Sequence, residues 1–183
     1  MSFLYFAYGS NMLTARLTAR CPSARVIGTA IALNHALEFT KPSKDKSGKA
    51  TLINTVAQGI HTPGVLFEIA ESERRKLDKA EGAGYASHDQ FEVKLAASDE
   101  AVMATTYLAS RTEAHLKPYD WYLALVIAGV HHHELDAGHA QRLRQTRYEV
   151  DGDQTRKGRA DALRALAEHG YDDHIVLLSP SIR

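Results

Sequence analysis

The 183-residue chain carries 22 Lys and Arg against 22 Asp and Glu, and 44% of its residues are hydrophobic. Zero net charge argues against a general nucleic-acid or membrane-surface partner, and the apolar fraction excludes a disordered chain. Cys21 is the only cysteine, so no intrachain disulfide can form; no apolar run reaches the ~18–20 residues that span a bilayer, and no basic segment precedes an apolar one at the N-terminus. These features describe one cytoplasmic domain over 1–183 with a sizeable core.

In chain order, "FLYFAY" (3–8) is an unbroken apolar and aromatic run that predicts a buried strand. Met12, Leu13, Arg16, Leu17 and Arg20 then predict a short helix, with Asn11 or Ser10 as its N-cap. "ARVIGTAIALNHALEFT" (24–40) alternates as one long or two short strands, and "KPSKDKSGK" (41–49) reads as a solvated, flexible loop. "ATLINTVAQ" (50–58) and "HTPGVLFEIA" (61–70) flank a Gly-containing turn and predict a hairpin. "ESERRKLDKAEG" (71–82) is a helix that stops at Gly82, and "QFEVKLAA" (90–97) with "AVMATTYLAS" (101–110) form another strand pair. Helices follow over 117–135, 137–150 and 158–170, the last within a C-terminal helical extension, 151–183, and "HIVLLS" (174–179) suggests a final strand. Strands and helices are segregated rather than alternating, which favours an α+β fold with a mixed, barrel-like sheet.

Three features carry candidate chemistry. In "YGSNM" (8–12), Gly9 opens backbone conformations closed to other residues, and the following helix offers free N–H groups at its positive end. That makes a cradle for a carboxylate or a developing oxyanion; a plain strand-to-helix turn with a good cap explains the same residues. Neither a dinucleotide fingerprint nor a P-loop spacing is present. In "LDKAEGAGY" (77–85), Glu81 sits at a helix C-terminus, where the dipole opposes its ionisation and raises its pKa toward the range useful for proton transfer; a solvated Glu before a Gly cap is the bland alternative. Tyr8, Tyr85, Tyr107 and Tyr122 suit the wall of a small polar-ligand site, or simple core packing. His131–His133 are adjacent on a helix and point in different directions, so they do not form a metal set, and Cys21 lacks ligand-spaced neighbours.

"YFAYGSNM", "LDKAEG" and "KPYDWYLALVIAGV" after a "TYLA" strand, spread over about residues 3–150, resemble the gamma-glutamylcyclotransferase family. The resemblance implies a small mixed-sheet β-barrel with flanking helices and a cavity at one end. It implies that a γ-glutamyl amide cyclises, releasing 5-oxoproline and an amine or amino acid, with no metal or organic cofactor. Residue by residue, it makes Glu81 the catalytic carboxylate, Tyr8, Gly9, Ser10, Asn11 and Met12 the substrate-binding loop, and Tyr85, Tyr107 and Tyr122 part of the cavity wall. Only "AG" separates Gly82 from Tyr85, and "YASHD" follows where relatives carry a basic residue, departures that bear on the leaving group. A related γ-glutamylamine cyclotransferase, a hydrolytic amidase and a non-catalytic binding module on the same fold remain the alternatives.

Overall fold

The computed structural model describes residues 1–55 and 59–179. Its elements are β1 (Ser2–Ala7), α1 (Thr14–Thr18), β2 (Arg25–Leu33), β3 (His35–Pro42), β4 (Gly48–Asn54), β5 (His61–Ala70), α2 (Arg74–Glu81), β6 (Tyr85–Leu95), β7 (Ala101–Ala109), α3 (Asp120–His132), α4 (Ala137–Arg144), α5 (Lys157–Ala167) and α6 (Ile175–Leu178). Short 3-10 turns over Ser10–Met12 and Glu71–Glu73 lead into α1 and α2. Five strands close into a mixed barrel in the order β1-β5-β2-β6-β7; the parallel contact of β1 with β7 at Tyr5 and Thr105 completes it. Phe6, Val65, Leu66, Phe67, Ile69 and Val93 are buried in the core.

The helix α3 organises the rest. Every residue from Asp120 to Val130 is buried, as expected of a helix that is apolar on all sides. Each buried Leu, Ile or Val contributes up to ~1.5–3 kcal/mol. The 3-10 turn at Ser10–Met12 and the helices α4, α5 and α6 all pack against α3. At Gly129 the approach is close enough that a Cβ would lie 2.6 Å from Met12 Cβ and 3.0 Å from the Leu13 nitrogen. The segment after residue 150 is tied to the same helix. Asp151 accepts from Trp121 Nε1 at 2.9 Å and from Arg156 Nε at 2.6 Å, and His174 Nε2 lies 3.0 Å from Asp120 Oδ2.

Several sequence expectations are corrected. The 50–58 and 61–70 segments do not pair as a hairpin: β4 pairs with β3, while β5 lies between β1 and β2. Positions 56–58 of the expected strand lie outside the described residues. The supposed flexible loop is a hairpin turn between β3 and β4, ordered by Asp45 accepting from the Ser47 amide and from Lys49 Nζ. Lys41 and Lys49 consequently sit in strands. The expected strand at 174–179 is instead the helix α6, which packs on α3 and buries Leu177 and Leu178. Neither Ser10 nor Asn11 caps a helix with its side chain.

Alanine is the better helix former, yet Gly129→Ala is expected to destabilise the protein by about 1–3 kcal/mol through overpacking against Met12 and Leu13. Urea unfolding monitored by circular dichroism measures it.

Candidate active site

The strand β1 runs directly into the loop at Gly9, and the helix α2 ends beside it at Glu81. The β4 strand closes a third side with Ala50. Together with Tyr5, Tyr8, Ser10, Asn11, Tyr85, Tyr107 and Tyr122, these residues line a recess enclosing about 290 Å³ between atoms, its open mouth included. Apart from Met12, every residue of the expected site therefore meets at one place. Met12 is fully buried, packs against Gly129 and is not part of the lining.

The carboxylate is held by neutral donors. Asn11 Nδ2 donates to Glu81 Oε1 at 2.6 Å, and the Tyr5 hydroxyl donates to the same oxygen at 3.1 Å. Asn11 Nδ2 also donates to the Tyr5 oxygen at 3.0 Å, closing a three-residue ring of hydrogen bonds. Among the described residues Oε2 has no hydrogen-bond partner. Burial pushes the Glu81 pKa above the ordinary glutamate value, partly opposed by the positive charge of Arg20, the Tyr5 hydrogen bond and the more distant Arg16 and Lys41. Burial is the largest of these influences.

Gly9 is needed for space. Its φ of −115° is open to any residue, but a Cβ there would lie 3.1 Å from Ala50 Cβ and 3.8 Å from the Tyr122 hydroxyl. Among the described residues no protein acceptor receives the Gly9, Ser10 or Asn11 amide, leaving these donors for a ligand. The tyrosine hydroxyls are mostly occupied by the protein itself. Tyr8 donates to the Tyr107 carbonyl, Tyr85 to the Ala50 carbonyl at 2.7 Å and Tyr107 to Asp78 at 2.6 Å, while Tyr122 accepts from the Ala50 amide at 3.1 Å. They form a fixed wall.

Four site residues escaped the sequence reading. Tyr5 sits within an apolar run, where its buried hydroxyl demanded a partner, and that was the available signal. Arg16 and Arg20 lie behind the loop: Arg16 Nε donates to Ser10 Oγ at 3.2 Å and Arg20 Nη1 to Asn11 Oδ1 at 2.7 Å. Burial, and then the neighbouring Arg20, lower the Arg16 pKa to about 9. Lys41 stands 4.6 Å from the Tyr85 ring centroid. Of the helical histidines, His133 supports the loop, its Nε2 lying 2.9 Å from the Met12 carbonyl. Among the described residues, no group of three His, Cys, Asp or Glu is arranged to hold a metal ion, and no helix is long and apolar enough to cross a membrane.

The closed mixed barrel with flanking helices defines the fold class, and the model of the AIG2-like family matches residues 61–143. Gamma-glutamylcyclotransferase of Homo sapiens is 30% identical over 149 residues, 78% of each chain. The Bos taurus protein of the same name is 29% identical over 148 residues, 78% of this chain and 77% of the relative. A solved gamma-glutamyl cyclotransferase superposes with a TM-score of 0.79 at 25% identity, covering 90% of this chain and 99% of that one. The chain belongs to the gamma-glutamylcyclotransferase family.

Tyr5→Phe removes a donor that favours the ionised form, so the Glu81 pKa is expected to rise. Titration of the ¹³C-labelled glutamate carboxyls by NMR, with Glu81→Gln identifying the resonance, reads the direction of the shift.

Proposed function

We infer that the protein is a γ-glutamyl cyclotransferase in which Glu81 is the general base and acid. The observation that carries this reading is the pairing of one half-buried carboxylate, its pKa raised, with three consecutive free amides across a tyrosine-walled recess. The substrate is a small γ-glutamyl amide that brings its own nucleophile. Its α-amine attacks the γ-carbonyl carbon, forming a five-membered ring. The new N–C bond replaces the amide C–N bond, and 5-oxoproline and a free amine result.

The chemistry asks the protein for three things. It folds the glutamyl chain so that amine and carbonyl meet, a positioning effect worth up to ~7–11 kcal/mol in favourable cases. It takes a proton from the substrate ammonium, and Glu81 Oε2 is the oxygen left open for it while Oε1 stays engaged by Tyr5 and Asn11. It then returns a proton to the departing nitrogen. A carboxylate whose pKa is raised by burial performs both transfers, being a stronger base than an exposed glutamate and still an acid near neutrality. The Gly9–Asn11 amides hold the substrate carboxylate or the oxyanion formed at the γ-carbon.

The decisive experiment incubates the protein with γ-glutamyl amino acids, γ-glutamylamines and glutathione and analyses the products. Release of 5-oxoproline supports the reading; release of glutamate marks hydrolysis and overturns it. Glu81→Gln is expected to lower kcat by roughly 10²–10⁴-fold. It should leave Tm at pH 7 unchanged or higher, because the charged form of a group with a pKa raised by burial opposes folding. Activity as a function of pH is expected to fall on the acid side as Glu81 protonates, with a midpoint above that of an exposed glutamate. Gly9→Ala is expected to raise KM with little change in Tm, since its Cβ would press on Ala50 at the recess wall; steady-state kinetics beside a melting curve separates the two effects.

A further inference from the structure

We propose that Arg20 is a positioning residue for the reaction: through Asn11 it fixes the orientation in which the Asn11 amide serves Glu81. The proposal rests on the functional reading above and adds a residue that reaches neither the recess nor the substrate. Arg20 follows α1, and its guanidinium lines the outer cleft between α1 and α5, behind the loop. Among the described residues it forms no ion pair with a carboxylate. Its Nη1 is instead directed at Asn11 Oδ1, 2.7 Å away.

The argument is one of hydrogen-bond polarity. A guanidinium only donates, so the atom facing Arg20 must be the amide oxygen. Asn11 Nδ2 is then turned inward, where both its hydrogens are used, on Glu81 Oε1 and on the Tyr5 oxygen. With the amide reversed, its oxygen would face Glu81 Oε1, two acceptors 2.6 Å apart, and the NH₂ would face the guanidinium. Both contacts would be repulsive. The neutral amide therefore transmits the positive charge without bringing it into contact with the carboxylate. The cations facing Glu81 are Arg20 and Arg16 from behind the loop and Lys41 from β3. The other titratable neighbours are the recess tyrosines and Cys21, whose pKa values are raised by burial, so they stay neutral through the working range. Of those cations Arg20 acts most strongly on Glu81, and its removal leaves Glu81 easier to protonate.

Arg20→Gln keeps a polar side chain but loses the charge and lets the Asn11 amide take either orientation. It is expected to lower kcat on the order of 10²-fold, as misplacement of a catalytic group does, with a smaller change in KM. It should also move the acid limb of activity to higher pH. Arg20→Lys, which keeps the charge and can only donate, is expected to restore most of the pH profile. Asn11→Leu removes the transmitting amide, so adding Arg20→Gln to it should cost much less than Arg20→Gln costs alone. Titration of the ¹³C-labelled Glu81 carboxyl gives a readout independent of turnover: an upward shift in Arg20→Gln supports the proposal. An unchanged Glu81 titration in Arg20→Gln, or effects of Arg20→Gln and Asn11→Leu that simply multiply, would overturn it. Should Arg20→Gln fail to fold, Arg20→Met takes its place in the same titration: an upward shift of Glu81 supports the proposal, and an unchanged midpoint overturns it. If wild type makes no 5-oxoproline from any γ-glutamyl compound, the functional reading fails, while the titration still decides the role of Arg20.

Discussion

A half-buried carboxylate without a cation in contact is the constraint on which the recess depends. A guanidinium or ammonium touching Glu81 would depress its pKa and hold it ionised. The structure instead sets two neutral donors, Tyr5 and Asn11, against one oxygen and keeps Arg20, Arg16 and Lys41 farther off. Glu81 is thereby solvated well enough to exist as an anion inside the fold and poorly enough to accept a proton. The same hydrogen bonds make its two oxygens unequal: Oε1 is anchored, and among the described residues Oε2 has no hydrogen-bond partner.

Holding that arrangement requires the loop after β1 to be fixed from behind, and the long buried helix does this. Gly129 lets α3 approach Met12 and Leu13 at backbone distance, and His133 reaches the Met12 carbonyl. On the other side, β4 brings Ala50 against Gly9 and uses its amide and carbonyl to anchor Tyr122 and Tyr85. The walls are thus set by bonds within the protein before any ligand arrives, and little side-chain freedom remains to be lost on binding. Lys49 contributes from outside the recess, standing 4.5 Å from the Tyr122 ring centroid and 4.6 Å from that of Trp121 while paired with Asp45.

Met12 shows how family resemblance and geometry divide the same loop. The resemblance assigns five consecutive residues to one loop of the site, yet in a tight 3-10 turn successive side chains cannot all face one way. Ser10 and Asn11 turn to the recess and to the arginines behind it, whereas Met12 turns into the core, where it meets α3. Its contribution to the site is the position of the backbone.

Much was legible in the chain because it depended on local signals. The unbroken run at 3–8, the Gly82 stop after Glu81, the strand pair over 90–110 and the apolar stretch from Trp121 to Val130 each announced an element, and the YGSN and Glu-Gly motifs marked the two halves of the site. What the sequence by itself determined was the strand or helix character of those segments and which residue types are available for proton transfer. Only the tertiary structure decided which strand pairs with which, that "HIVLLS" docks as a helix, and that Tyr5, Arg16, Arg20 and Lys41 gather around one carboxylate. The reason is physical: secondary-structure preference is encoded within a few residues, but the burial that raises the Glu81 pKa and the hydrogen bonds and charges that oppose it exist only once segments far apart in sequence, such as those of Asn11 and Glu81, are brought into contact.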